Sequence, residues 1–180
     1  MNRREVLVLL AGTSALPDKL LAVGRAVHKR VRVGELRALS PHQNETVATI
    51  AELIIPKTDT PGARDAGVPA FIDVMLADWG DEEHLQTFTA GLANVDERSR
   101  ALFGKDFIAC SPEQQTQILT DLDAELARLR DTKSDTSKNF FQGMKWLTLT
   151  GYYTSEVGAT SEQHYRVVPG RYEPCYPLDQ

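Results

Sequence analysis

Apolar residues recur at three- and four-residue steps in five stretches of the chain, each bounded by residues that start or stop helices. The first opens with Ser40-Pro41-His42-Gln43: a capping hydroxyl, a proline suited to the first helical turn, and a glutamine three residues after the cap. Val47, Ile50, Ala51 and Ile54 continue it, and Pro56 stops it. Residues 56–67 hold two prolines and two glycines and predict a loop. A second helix is expected from Pro69 to about Trp79, with Phe71, Met75 and Trp79 inward at four-residue steps. Gly80 then separates it from a third, running from Asp81 or Glu82 to about Phe103, with Leu85, Phe88, Leu92 and Val95 inward and Gly91 weakening its middle.

Ser111-Pro112-Glu113-Gln114 repeats the first helix start, and Ile118, Leu119, Leu122, Leu126 and Leu129 follow it as the most strongly periodic stretch. The polar run Arg130 to Lys138 reads as a connection, with Asp135, Thr136 or Ser137 capping a last helix. That helix carries Phe140, Phe141, Met144, Leu147 and Leu149 and reaches Gly151 or a little beyond. No helical pattern continues past Ser155, and Tyr165 to Val168 reads as a short extended piece. The expected architecture is all-α: a helical bundle over residues 40–155, a basic segment over 1–39, and an irregular C-terminal arm over 156–180 that packs on the bundle and on a partner.

Composition narrows the function classes. Across 180 residues, 42% are hydrophobic and 25% charged, an ordinary globular balance large enough for one sizeable core. The net charge of −5 divides unevenly: residues 1–39 hold eight Lys or Arg against three acids, and residues 40–180 hold twelve against twenty-two. A body this acidic repels phosphate backbones, which argues against a nucleic-acid partner. Arg3-Arg4, followed by Glu5 and an apolar run to Ala15, is too short to span a bilayer and resembles a twin-arginine export signal; an amphipathic N-terminal helix is the alternative.

No GxGxxG, P-loop, HExxH, GxSxG or CxxC pattern occurs, so the chain carries no nucleotide, zinc or nucleophile-elbow signature, and no catalytic, cofactor or metal residue is assigned to it. His42 and His84 fall in first helical turns, where solvated side chains are expected, and His28 lies in the basic segment; His164, beside Tyr165, is a candidate contact. Asp121, Asp123 and Glu125 read as a solvated face, and Asp65 and Asp73 as acids near the start of the second helix that favour its dipole. Glu156 near Tyr152 and Tyr153 reads as a hydrogen bond fixing the start of the arm, against the alternative of an acid–base pair. Cys110 and Cys175 lack ligand spacing; they could bridge each other, or Cys175 could reach a partner chain. All five tyrosines lie after residue 150, and such a cluster on irregular backbone favours a recognition surface, against the alternative that the tail wraps back over its own helices with Gly151 to Glu156 buried there.

Several blocks together carry a family resemblance: Leu39-Ser40-Pro41-His42-Gln43, Ile54-Ile55-Pro56, Asp59-Thr60-Pro61-Gly62-Ala63 and Phe71-Ile72-Asp73 at one end, and Gly151-Tyr152-Tyr153-Thr154-Ser155-Glu156, Gly158-Ala159, Pro169-Gly170-Arg171-Tyr172 and Pro174-Cys175 at the other. In these the chain resembles the gluconate 2-dehydrogenase subunit 3 family over residues 40–178. The resemblance implies a small subunit without flavin, in a bacterial periplasmic or membrane-associated dehydrogenase. Its large partner would be an FAD-binding protein of the glucose-methanol-choline oxidoreductase type that oxidises a sugar, glycoside or sugar acid. A cytochrome c subunit is a further partner the resemblance allows, and membrane association would come through the complex or a retained N-terminal segment. Arg3 and Arg4 match the export signal that the resemblance implies for both subunits. The expected interface is the Asp59–Gly67 loop and the Gly151–Leu178 arm, with Tyr152, Tyr153, Tyr165, Arg171 and Tyr172 as contacts and Cys175 as a candidate intersubunit disulfide. A free-standing export chaperone or helical binding module is the alternative, followed by an enzyme in its own right using Glu156.

Overall fold

The computed structural model of the chain describes residues 35–163. Arg3, Arg4, His28, His164, Tyr165, Arg171, Tyr172 and Cys175 lie outside them. Five α-helices occupy the described part: α1 (Pro41–Ile54), α2 (Val68–Asp78), α3 (Glu82–Phe103), α4 (Pro112–Asp131) and α5 (Phe140–Tyr153). A 3-10 turn, Phe107–Ala109, precedes α4, and a π-helical turn, Gly158–Glu162, follows α5. No strand occurs among the described residues, so the fold is all-α as expected.

Local chemistry sets the helix ends. Ser40 and Gln43 exchange reciprocal hydrogen bonds at the start of α1, with Ser40 N donating to Gln43 Oε1 over 2.9 Å. Ser111 and Gln114 repeat the device for α4, over 3.0 Å. The cap of α5 is Asn139, whose Oδ1 accepts from Gln142 N at 3.0 Å, and not one of residues 135–137. Asp135 instead accepts from Ser137 N at 2.8 Å and turns the connection. Helical structure also resumes past Ser155, in the π-helical turn, where the sequence pattern offered none. Its Gly158 is required by space, since a Cβ there would sit 2.1 Å from the Tyr152 carbonyl oxygen.

The bundle closes around α5, which packs against each of the other four helices. Phe141, Met144, Leu147 and Tyr152 point inward from it and meet Val47 and Ile50 of α1, Ile72 and Leu76 of α2, Phe88, Leu92 and Val95 of α3, and Ile118 and Leu126 of α4 in one continuous core. Phe107 closes one end of that core from the 3-10 turn. Gly91 lets α3 approach α5: a Cβ there would fall 2.1 Å from Phe140 Cγ.

The facing of α2 departs from expectation. Val68, Ile72 and Leu76 are its buried row, while Phe71 and Met75 are half-buried and Trp79 is 80% exposed. Both rows are apolar at four-residue spacing, so periodicity alone cannot choose between them. The Phe71 row lies along the seam with α5, where Gly151 leaves room for the Phe71 ring; a Cβ at residue 151 would stand 2.6 Å from Phe71 Cδ1.

Asp73 is also not a surface acid near a helix end. It is 2% exposed, and its two carboxylate oxygens accept from three successive main-chain donors, Arg37 N at 2.8 Å, Ala38 N at 3.0 Å and Leu39 N at 2.9 Å. The strand of backbone leading into α1 is thereby fastened to the middle of α2, and Leu39 is carried into the core.

Candidate functional site

The end of α5 is the first place to look, because the sequence placed a tyrosine pair there. Helical backbone continues to Tyr153, so Tyr152 and Tyr153 point about 100° apart. Tyr152 turns inward and is 1% exposed; its hydroxyl donates to the Pro61 carbonyl at 2.9 Å. Glu162 Oε1, 3.4 Å from the same hydroxyl, accepts from Thr60 Oγ1 at 2.7 Å. Tyr152 and Glu162 therefore fasten the loop after α1 to the end of α5, and Tyr152 is corrected from a partner contact to a core residue. Tyr153 remains on the surface, its ring edge-to-face on Tyr152 with centroids 5.4 Å apart. Glu156 is exposed and bonded to neither tyrosine, so the glutamate that fixes the start of the arm is Glu162.

Several of the other candidate polar groups are held by backbone or by each other. His42 is not a free solvated side chain: its Nε2 lies 2.6 Å from Asp96 Oδ2, while Asp96 Oδ1 accepts from Phe107 N at 3.0 Å. That cluster ties α1, α3 and the 3-10 turn together. His84 is exposed. Asp121, Asp123 and Glu125 are all exposed, and two of them make ion pairs, Lys145–Asp123 at 2.8 Å and Arg98–Glu125 at 2.7 Å. Asp65 pairs with Lys57 at 2.9 Å. Cys110 is buried and free among the described residues. No group of three His, Cys, Asp or Glu among those residues could hold a metal ion, and no helix among them is long and apolar enough to cross a membrane.

What the surface does present is aromatic. Trp79, at the end of α2, is 80% exposed, and Trp146, on α5, is 58% exposed. Trp146, Leu149 and Tyr153 recur at three- and four-residue steps along the side of α5 that turns away from the core. Between the two indoles lies an open depression of about 330 Å³, floored by Met75, Leu76 and Leu147 and bordered by Gly80, Asp81 and His84. Trp146 was not singled out by the sequence reading. The available signal was its phase, since it falls midway between the inward positions 144 and 148 and at neither.

Asp81 is the acid that lines the depression, and Asp78, Glu82 and Glu83 neighbour it along the chain. Arg37 clamps Asp78 with two hydrogen bonds of 2.6 Å, and Lys138 pairs with Glu83. The Arg37 hydrogen bond holds the Asp78 carboxyl below its ordinary range, and its partner guanidinium is raised in turn. Asp81 spends one oxygen on His84 N at 2.8 Å, capping α3, and Glu82 accepts from Gln86 Nε2 at 3.0 Å; neither makes an ion pair among the described residues, and Lys138 is the cation near enough to Asp81 to feel its charge.

A family model described as gluconate 2-dehydrogenase subunit 3 matches residues 41–170. No curated protein and no solved structure matches the chain.

Proposed function

The chain belongs to the gluconate 2-dehydrogenase subunit 3 family, and from that premise we propose that it is the non-catalytic small subunit of a heteromeric FAD-dependent dehydrogenase oxidising a sugar, glycoside or sugar acid. The observation that carries the reading is the family match across nearly the whole described bundle and beyond it. Its partner is a large flavoprotein of the glucose-methanol-choline oxidoreductase type, which holds the FAD; a cytochrome c subunit is a further member that the family allows. The small subunit docks on that partner and stabilises it, because a ligand that binds only the folded state stabilises by mass action, about 2.7 kcal/mol at a hundredfold excess over Kd. Arg3 and Arg4 supply the export signal that carries both subunits to the periplasm.

Co-purification tests this reading. The tagged full chain is expected to bring with it a flavin-coloured protein of several hundred residues, identified by intact mass and visible absorbance, with turnover confined to the complex. A chain that purifies alone, or turns over substrate alone, sinks the proposal in favour of a free-standing export chaperone or an enzyme. Replacing Arg3 and Arg4 by lysine should leave both subunits in the cytoplasm. Non-reducing electrophoresis of the same complex reads the Cys175 bridge, as a shifted band lost in Cys175→Ser.

A further inference from the structure

We infer that the face carrying Trp79 and Trp146 is where the large subunit docks, and that it receives an apolar segment bearing an arginine. The inference rests on the reading above that the chain is a subunit with a larger partner. Its own ground is the surface itself. A buried aromatic side chain typically removes about 150–250 Å² from water, and two indoles here leave most of that gain unrealised. The helix that carries Trp146 packs against all four others, so its outward stripe of Trp146, Leu149 and Tyr153 is not a loosely built edge. That stripe runs from the depression to the end of α5, where the arm begins, giving one continuous apolar strip with Asp81 at its depression end.

Charge selects the occupant. Residues 35–163 hold twenty-one Asp or Glu against eleven Lys or Arg. Asp81 lines the depression and Glu82 follows it in the chain, and neither makes an ion pair among the described residues. A second copy of this chain, related by a twofold axis, would set Asp81 and the same acidic surface against themselves. A guanidinium satisfies both features, because it stacks on an indole face and pairs in plane with a carboxylate.

The experiment uses the full chain labelled with 5-fluorotryptophan, which gives one ¹⁹F resonance per indole, assigned by Trp79→Phe and Trp146→Phe. Both resonances should shift when the purified flavoprotein subunit is added, and Trp146→Ala or Trp79→Ala should weaken the complex by at least about tenfold. Asp81→Asn with Glu82→Gln keeps the helix cap while removing both charges; it should weaken binding about tenfold at low salt and flatten its salt dependence. Unchanged thermal unfolding of each variant confirms that the bundle is intact. A complex that forms with both resonances unmoved overturns the inference and spares the proposed function; failure of any flavoprotein to bind overturns the function itself. Resonances that move with the chain's own concentration assign the face to self-association and overturn the inference. Wild-type affinity and salt dependence in the charge-neutral variant overturn its arginine component.

Discussion

Asp73 occupies the middle of a helix whose neighbouring positions are almost all apolar, and a lone acid in such a place demands a reason. The reason is three main-chain donors from residues 37–39, each within 3.0 Å of a carboxylate oxygen. Removing the acceptor leaves buried donors unpaired, which costs more than the bonds themselves contribute. Asp73→Ala is therefore expected to destabilise the bundle by about 3 kcal/mol or more, read by chemical denaturation. Asp73→Asn should cost less, since one acceptor oxygen remains. A loss below about 1 kcal/mol in the alanine variant would show that the entering backbone finds other partners.

At the level of elements, two glycines make opposite predictions from the same chemistry. Glycine inside a helix costs roughly 0.5–1 kcal/mol relative to alanine. Gly143, in α5, has open space where a Cβ would go, so Gly143→Ala should raise stability by about that amount. Gly91, in α3, would place its Cβ 2.1 Å from Phe140 Cγ, so Gly91→Ala should lower stability despite the better propensity, and thermal unfolding of the pair reads the sign. The second outcome was hidden from the sequence, where Gly91 reads only as a weak point. What could be read there was local: the two capping boxes depend on residues three apart, and the α3, α4 and α5 stripes on steps of three and four. What could not be read depends on distant partners, since His42 finds Asp96 54 residues away and Asp73 its donors 34 to 36 away. The candidate site divides the same way. Tyr153 was recognisable as a surface aromatic. Tyr152 was misplaced because the partners that hold it inward, Pro61 and Glu162, lie 91 and 10 residues away, and Trp79 because the choice between two apolar rows of α2 is made by α5.

For the whole molecule, the ion pairs between elements set the response to acid. Arg98 grips Glu125 through two hydrogen bonds of 2.7 and 2.9 Å across α3 and α4, and Arg37 grips Asp78 beside α2. Each carboxyl is held below its ordinary value chiefly by the guanidinium hydrogen bond, so each contributes stability above the usual carboxylate range that is lost as pH falls through the lowered value. Both pairs are largely solvated, which keeps the effect small. Melting temperatures of Glu125→Gln with Asp78→Asn, taken across pH, should lie below the wild type at neutral pH and converge with it in acid; a constant offset would deny the pairs this role. The aromatic face has an optical counterpart. Trp79 and Trp146 are the chain's two indoles, and both are already wet in the folded protein. Their emission is thus close to its unfolded colour before denaturant is added, and a titration followed at that wavelength will nearly miss the loss of the bundle. Colour change in this protein will report company rather than collapse.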